Sequence, residues 1–200
     1  MTDVLRCTPW RVRCQGVTEG RSPDPARGRT KAPRRRGTLC PVTVADEPAA
    51  ITRDHVSWDD LASLVARLAE QVRGEYDVML VITRGGLVPG GMLAYKLGIR
   101  NILVAAVEYY DEHGQPGPHP TFLQFPADPL LRGQRVLVVD EVWDSGTTIH
   151  AVTERVRQAG GEPTTAVLHY KPVHSVVPDE PDHHVVETAS WVVYPFKGGA

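Results

Sequence analysis

Past Cys40 the chain has no cysteine; Cys7, Cys14 and Cys40 are its only three. A fold built on the remaining residues therefore relies on neither a disulfide nor a thiolate metal site, which suits a reducing, cytoplasmic setting. Long hydrophobic runs are also missing: the apolar stretches are too short to span a bilayer. The first residues lack the unbroken apolar core of a secretory signal. Charge of one sign is missing too, since the net charge is only -2. That balance hides an asymmetry: residues 1–40 hold ten Arg/Lys against three Asp/Glu, and the other 160 hold twelve against twenty-one.

What is present divides at about residue 45. Residues 1–45 include "RGRTKAPRRRG", show no sustained helical or strand period, and read as a disordered basic tail. Such a tail is either dispensable or a basic arm for nucleic acid or another polyanion. Residues 46–200 read as one folded domain, of a size that can bury a true core.

Within that domain, "VSWDDLASLVARLAEQVRG" places Leu61, Leu64, Val65, Leu68 and Val72 at helical spacing. Ser57 is the expected N-cap, with Asp59 and Asp60 in the first turn. "YDVMLVIT" (76–83) is the nearly all-apolar run of a strand covered on both faces. A short helix is expected from about Gly90 to Leu97, then a strand in "NILVAAVEYY". Residues 111–133 are turn-rich and polar, a long loop suited to a lid hinged at Tyr110. Further strands are expected at 135–142, in "TTAVLHYK" and in "HHVVETASWVVYPF", with a helix at 147–159. Strands alternating with helices predict an α/β fold with an open, mainly parallel twisted sheet flanked by helices.

Two loops at the carboxyl ends of strands carry unusual chemistry, and that edge is where α/β sheets bind ligands. In "VVDEVWDSGTT", Asp140 and Glu141 end a buried run. Adjacent carboxylates there can hold the two vicinal hydroxyls of a ribose or help hold Mg²⁺. Asp144, Ser145, Gly146, Thr147 and Thr148 then open a helix, whose free amides, glycine and hydroxyls suit a phosphate. Helix capping accounts for one acid and one hydroxyl in this stretch, but not for three acids behind a buried strand. In "ITRGGLVPG", Arg84 and Gly85-Gly86 offer a cation and exposed amides to a second anion such as pyrophosphate, though a plain strand-to-helix turn would look similar. The "DHH" at 182–184 does not read as a metal site, because strand alternation sends its histidines to opposite faces.

"VLVVDEVWDSGTT" resembles the 5-phosphoribosyl-1-diphosphate (PRPP) signature of the type I phosphoribosyltransferases. "VSWDDL", "ITRGGLVPG", "EYYDEHGQ", "YKP" and "SWVVYPF" follow, in order, the pattern of that family's bacterial xanthine–guanine and hypoxanthine–guanine group. The resemblance covers roughly residues 56–196 and implies transfer of phosphoribosyl from PRPP to guanine, xanthine or hypoxanthine in purine salvage. It also implies a small base-binding hood, Mg²⁺ as cofactor and a homodimer or homotetramer.

By the resemblance, Asp140 and Glu141 would hold the ribose hydroxyls and place Mg²⁺, and Ser145, Gly146, Thr147 and Thr148 would bind the 5-phosphate. Arg84 and Gly85 would hold pyrophosphate, often across a non-proline cis peptide. Asp144 would be the general base near purine N7, Lys171 would donate to the 6-oxo group, and Trp191 would stack while the Val192 backbone reads the base edge.

Departures from the family's pattern are Asp-Glu for the commoner Asp-Asp, Ser145 for Thr, Thr147 for a Gly, and Tyr109-Tyr110 for a Ser-Tyr pair. Val193 stands in place of a Glu, and Lys197 in place of an acid. An RNA-binding regulator retaining the fold is the reading from another class. It would need its positive charge from the tail, because the domain itself is acidic. A phosphoribosyltransferase for a non-purine acceptor is the third.

Overall fold

A computed structural model describes residues 52–72, 74–110 and 116–197. The basic tail expected over 1–45 lies outside them.

A six-stranded sheet runs β4-β3-β2-β5-β6-β7. Its strands are β2 (Val78–Thr83), β3 (Ile102–Tyr110), β4 (Pro116–Gln124), β5 (Arg135–Trp143), β6 (Glu162–Tyr170) and β7 (His183–Glu187). All neighbouring pairs are parallel except β3 with β4. Helices α1 (Trp58–Gln71), α2 (Leu87–Leu97) and α3 (Thr147–Gln158) flank it. The apolar runs divide by strand alternation. Met79, Val81, Leu137 and Val139 pack with Leu61, Val65 and Leu68 of α1 and Leu93 of α2. Val78, Leu80, Ile82, Val136 and Val138 pack with Ile149, Val152 and Val156 of α3. A strand buried on both faces has no polar alternation to show, which is why β2 and β5 read as continuous oil.

Ser57 caps α1 as expected, in a reciprocal box with Asp60: the Asp60 amide donates to Ser57 Oγ (3.1 Å), and the Ser57 amide donates to the Asp60 carboxylate (3.0 Å). α2 begins at Leu87, three residues before the expected Gly90.

The larger correction concerns residues 111–133, read from sequence as one long loop. Residues 116–124 pair antiparallel with β3 as the sheet's edge strand, and Asp128–Leu130 form a 3₁₀ turn. Pro116, Pro118 and Pro120 look like loop punctuation. An edge strand tolerates prolines wherever their missing N–H groups face its unpaired side, and the pairing with β3 is itself irregular between Glu108 and Tyr110. The expected lid's tip, 111–115, lies outside the described residues.

A strand not expected from the sequence, β1 (Arg53–His55), pairs in parallel with β8 (Trp191–Val193) in a separate two-stranded sheet. Among the described residues, no helix is long and apolar enough to cross a membrane.

Candidate active site

β5 delivers the acidic residues to the carboxyl rim of the sheet, and the turn after it folds tightly. Gly146 has φ +81, and a Cβ there would run into the Trp143 indole and Val177. Trp143 is itself buried, with Nε1 donating to Ser175 Oγ at 3.2 Å. Gly146 caps α3 without any side-chain hydrogen bond to the helix. At the helix's amino end the Thr147 amide donates only weakly to Ser145 Oγ (3.5 Å), and Ser145 Oγ and Thr147 Oγ1 are paired beside it at 2.9 Å. Asp140, Asp144, Ser145, Gly146 and Thr148 line a hollow of about 200 Å³ at this point. A helix N-terminus with adjacent hydroxyls is chemically a phosphate cradle.

Asp144 caps nothing. One oxygen accepts from Lys171 Nζ (2.9 Å), the other lies 2.9 Å from His174 Nδ1. Burial works against its charge, but the hydrogen bonds and charges of Lys171 and His174 outweigh that and hold the carboxyl below its ordinary range. Lys171 is buried, while Asp144 is substantially open. Over the same ammonium stands the Trp191 ring, 5.5 Å from its centroid, and Trp191 is 57% exposed. Lys171, Asp144 and Trp191, spread over 48 positions of chain, thus meet at one place. In β8, the Trp191 amide donates to Thr52 (2.8 Å) and the Val193 carbonyl accepts from Val56 (2.9 Å). Alternation turns the backbone groups of Val192 away from β1.

Asp140 and Glu141 are unequal. Burial and the charge of Glu141 push the Asp140 carboxyl well up. Glu141 is buried as well, but its hydrogen bond with Asp140 and the Lys197 ammonium bring its carboxyl down. Lys197 Nζ lies 2.7 Å from Glu141 Oε1. The Glu141 carboxylate sits where a Cβ on Gly85 would be, so a larger residue there would displace the Glu141–Lys197 pair. Gly86 is equally constrained: a Cβ would lie 2.7 Å from the carbonyls of Ile82 and Val139. The Thr83–Arg84 peptide is cis. Arg84, Gly85, Glu141 and Lys197 line a second cavity, of about 530 Å³.

A Mg²⁺ ion here would have few protein donors and would depend on oxygens from elsewhere. Among the described residues no three His, Cys, Asp or Glu side chains gather as a metal site. With Glu141 engaged by Lys197, Asp140 remains as the rim acid, and a bound cation would favour its ionised form. One carboxylate plus substrate oxygens and water is an ordinary Mg²⁺ environment.

Sequence reasoning missed His174, Tyr194 and His169. The Tyr194 hydroxyl donates to the Glu141 carbonyl (2.7 Å), so His169 Nδ1, also 2.7 Å away, must be the donor to that hydroxyl. Burial keeps His169 neutral by lowering its pKa. This chain ties the β8 segment to the strand end that bears the acids. Only His174 had a local signal: its amide closes a turn on the Lys171 carbonyl (3.0 Å), so "KPVH" reads as a turn returning toward the lysine.

The sheet is mainly parallel, and its carboxyl rim gathers two hollows and a cluster of carboxylates. The chain belongs to the phosphoribosyltransferases: the phosphoribosyl transferase domain family matches residues 51–197. It is 32% identical over 161 residues to the xanthine-guanine phosphoribosyltransferase of Gluconobacter oxydans, covering 78% of this chain and 90% of that one. A purine phosphoribosyltransferase from Pyrococcus horikoshii is similar in structure, with TM-score 0.64, 32% identity, and coverage of 74% and 96%. So is a Neisseria gonorrhoeae protein solved with bound ppGpp, with TM-score 0.65, 29% identity, and coverage of 76% and 92%.

Proposed function

We propose that this phosphoribosyltransferase transfers the 5-phosphoribosyl group of PRPP to a 6-oxopurine, releasing pyrophosphate and a nucleoside monophosphate for salvage. The observation that carries the reading is the Lys171–Asp144 pair beneath Trp191. A 6-oxopurine offers an O6 acceptor and, as the N7–H tautomer, a donor side by side on one edge. Lys171 can only donate and ionised Asp144 can only accept, so the pair matches that edge. Adenine would set its amino group against the lysine's hydrogens. The Trp191 face covers the ring, and the Val192 backbone meets the far edge. The purine relatives support the same substrate class.

PRPP would lie with its 5-phosphate in the hollow of Ser145, Gly146 and Thr148 and its pyrophosphate in the cavity of Arg84 and Gly85. Asp140 lines the first hollow and Glu141 the second, so the ribose hydroxyls would lie between them. The bond from C1′ to the pyrophosphate oxygen breaks with its electron pair leaving on that oxygen, and positive charge develops on the ribose ring. A ring nitrogen of the purine supplies the pair for the new bond to C1′, and the proton on N7 passes to Asp144. Arg84 offsets charge on the departing group. Mg²⁺, held by Asp140 and substrate oxygens, would supply further neutralisation of pyrophosphate. The acceptors of the site are side chains already fixed by the packing of Trp143, Tyr194 and Lys171, so little reorganisation is needed during reaction.

The test is a panel of guanine, xanthine, hypoxanthine, adenine and uracil with labelled PRPP. Nucleotide formation with 6-oxopurines and none with adenine is expected. Turnover confined to adenine or uracil, or none with any base, would overturn the reading.

A further inference from the structure

Two ion pairs at the rim are mirror images in what they leave open. In Lys171–Asp144 the lysine side chain is 4% exposed and the carboxylate 44%; in Glu141–Lys197 the carboxylate is 8% exposed and the lysine 44%. Each buries one charge as an anchor and holds the opposite charge out to solvent. The first presents an acceptor to a proton-bearing base. The second presents an ammonium, and what it faces can be read from its surroundings.

Lys197 opens onto the same cavity as Arg84 and the first residues of α2, Leu87 and Val88. α2 has no acidic residue in its first turn and no side-chain cap. Against these positive groups stands one carboxylate, Glu141, which is already matched by Lys197. The cavity therefore carries an excess of positive charge from Arg84 and the helix end. The hollow under α3 differs: it has hydroxyls and amides but no lysine or arginine in its lining, and two acids. Of the two, only the Arg84 cavity suits an anion of several charges.

Lys197 is also well placed to hold such an anion. Its anchor is rigid: Glu141 is pinned through its carbonyl by Tyr194 and fits against Gly85. The ammonium lies 5.4 Å from the centroid of the Tyr194 ring, so stem and head are both guided. A lysine has three donors, and a single carboxylate oxygen leaves others for a second partner.

We propose that Lys197 is a pyrophosphate-binding catalytic residue, an ammonium held by Glu141 over the cavity to work with Arg84 on the leaving group. This rests on the phosphoribosyl-transfer reading of the site. As the bond at C1′ breaks, charge accumulates on the pyrophosphate oxygens, and Lys197 donates to them while keeping its bond to Glu141. A fixed cation there serves where a free ion would first have to be bound and ordered.

The test uses the full chain with Lys197→Ala, Lys197→Arg and Arg84→Ala. Binding of inorganic pyrophosphate and, separately, of GMP is measured by calorimetry with and without Mg²⁺, alongside steady-state kinetics. Lys197→Ala should weaken pyrophosphate binding about tenfold or more, the scale of one charge-assisted hydrogen bond. It should lower kcat/KM for PRPP to a similar degree and leave GMP affinity within about twofold, and Lys197→Arg should recover most of the loss. Unchanged pyrophosphate affinity in Lys197→Ala, with loss in Arg84→Ala, would overturn the role of Lys197 while leaving the cavity's assignment standing. Equal loss of pyrophosphate and GMP binding would make Lys197 merely a support for Glu141 and also overturn it. Failure of the parent chain to bind pyrophosphate at all would remove the cavity's assignment and the proposal together.

Discussion

The sheet has two rims, and both carry carboxylates beside cations, yet the two are built on opposite principles. At the amino rim, where β2 and β5 begin, Asp77 accepts from the Arg135 amide (2.9 Å), Nε (3.0 Å) and Nη2 (2.8 Å), and Glu75 adds a 3.3 Å contact. These three charges are matched with one another at the surface, where an ion pair contributes little. At the carboxyl rim, Glu141 is buried beside a half-buried Asp140, and Asp144 and Lys197 reach outward from buried anchors. A protein gains no stability by burying like charges. Charges matched within the protein mark a rim that only closes the sheet, whereas charges held half-open mark the rim that meets a ligand.

Substitution at the open rim should act on chemistry before stability. Asp144→Asn removes the proposed proton acceptor, and kcat should fall by about 10²-fold or more, the usual scale for a general base, with PRPP affinity retained. Steady-state rates and PRPP binding check this, and a variant with near-parental kcat would strip Asp144 of its role.

Next in size, Gly146→Ala would force a side chain into positive φ and against Trp143. Unfolding free energy should drop by about 1–3 kcal/mol, and KM for PRPP should rise as the phosphate hollow deforms. Urea denaturation and PRPP titration read the two effects, and an unperturbed KM would separate this loop from phosphate binding.

A smaller effect is expected at His174, which helps keep the Asp144 carboxyl low. Removing it in His174→Ala lets that pKa rise, so the acid limb of kcat/KM should move to higher pH while turnover at pH 8 changes little. A profile that stays in place would mean Lys171 alone sets the charge of Asp144.

The smallest effect belongs to the amino rim. Arg135 lowers Asp77 to about 2. The folded pKa lies below the unfolded value of about 3.9, so its contribution is present above that value and is lost as pH falls toward 2. Asp77→Asn should be slightly less stable than the parent at pH 6, with the gap narrowing by pH 3 and activity unaffected. A loss of turnover in this variant would erase the contrast between the rims.

The reach of the sequence can be judged residue by residue. The stretch from Val136 to Ile149 displayed its strand, its acids and its helix start, because all of these are local. α1 was equally legible, from Ser57 and the spacing of its leucines. β4 was not, since three prolines suggest a loop until an edge position is known. β1 is three residues long and exists only because β8 lies beside it. The contacts that complete the site span long separations: 27 positions from Asp144 to Lys171, 53 from Glu141 to Tyr194. Nothing in a linear pattern announces such pairs without a known family to supply them.

By itself, then, the sequence determined the α/β alternation, the rim on which the acids stand and the glycines at their turns, because periodicity, capping and turn chemistry act over a few residues. Tertiary structure alone decided which charges became partners. Lys171 reached Asp144, His174 joined it, and Lys197 came to rest on Glu141 through the packing of β6 and the C-terminal turn against β5. Distance and burial set the strength of a charge, and both belong to the folded chain.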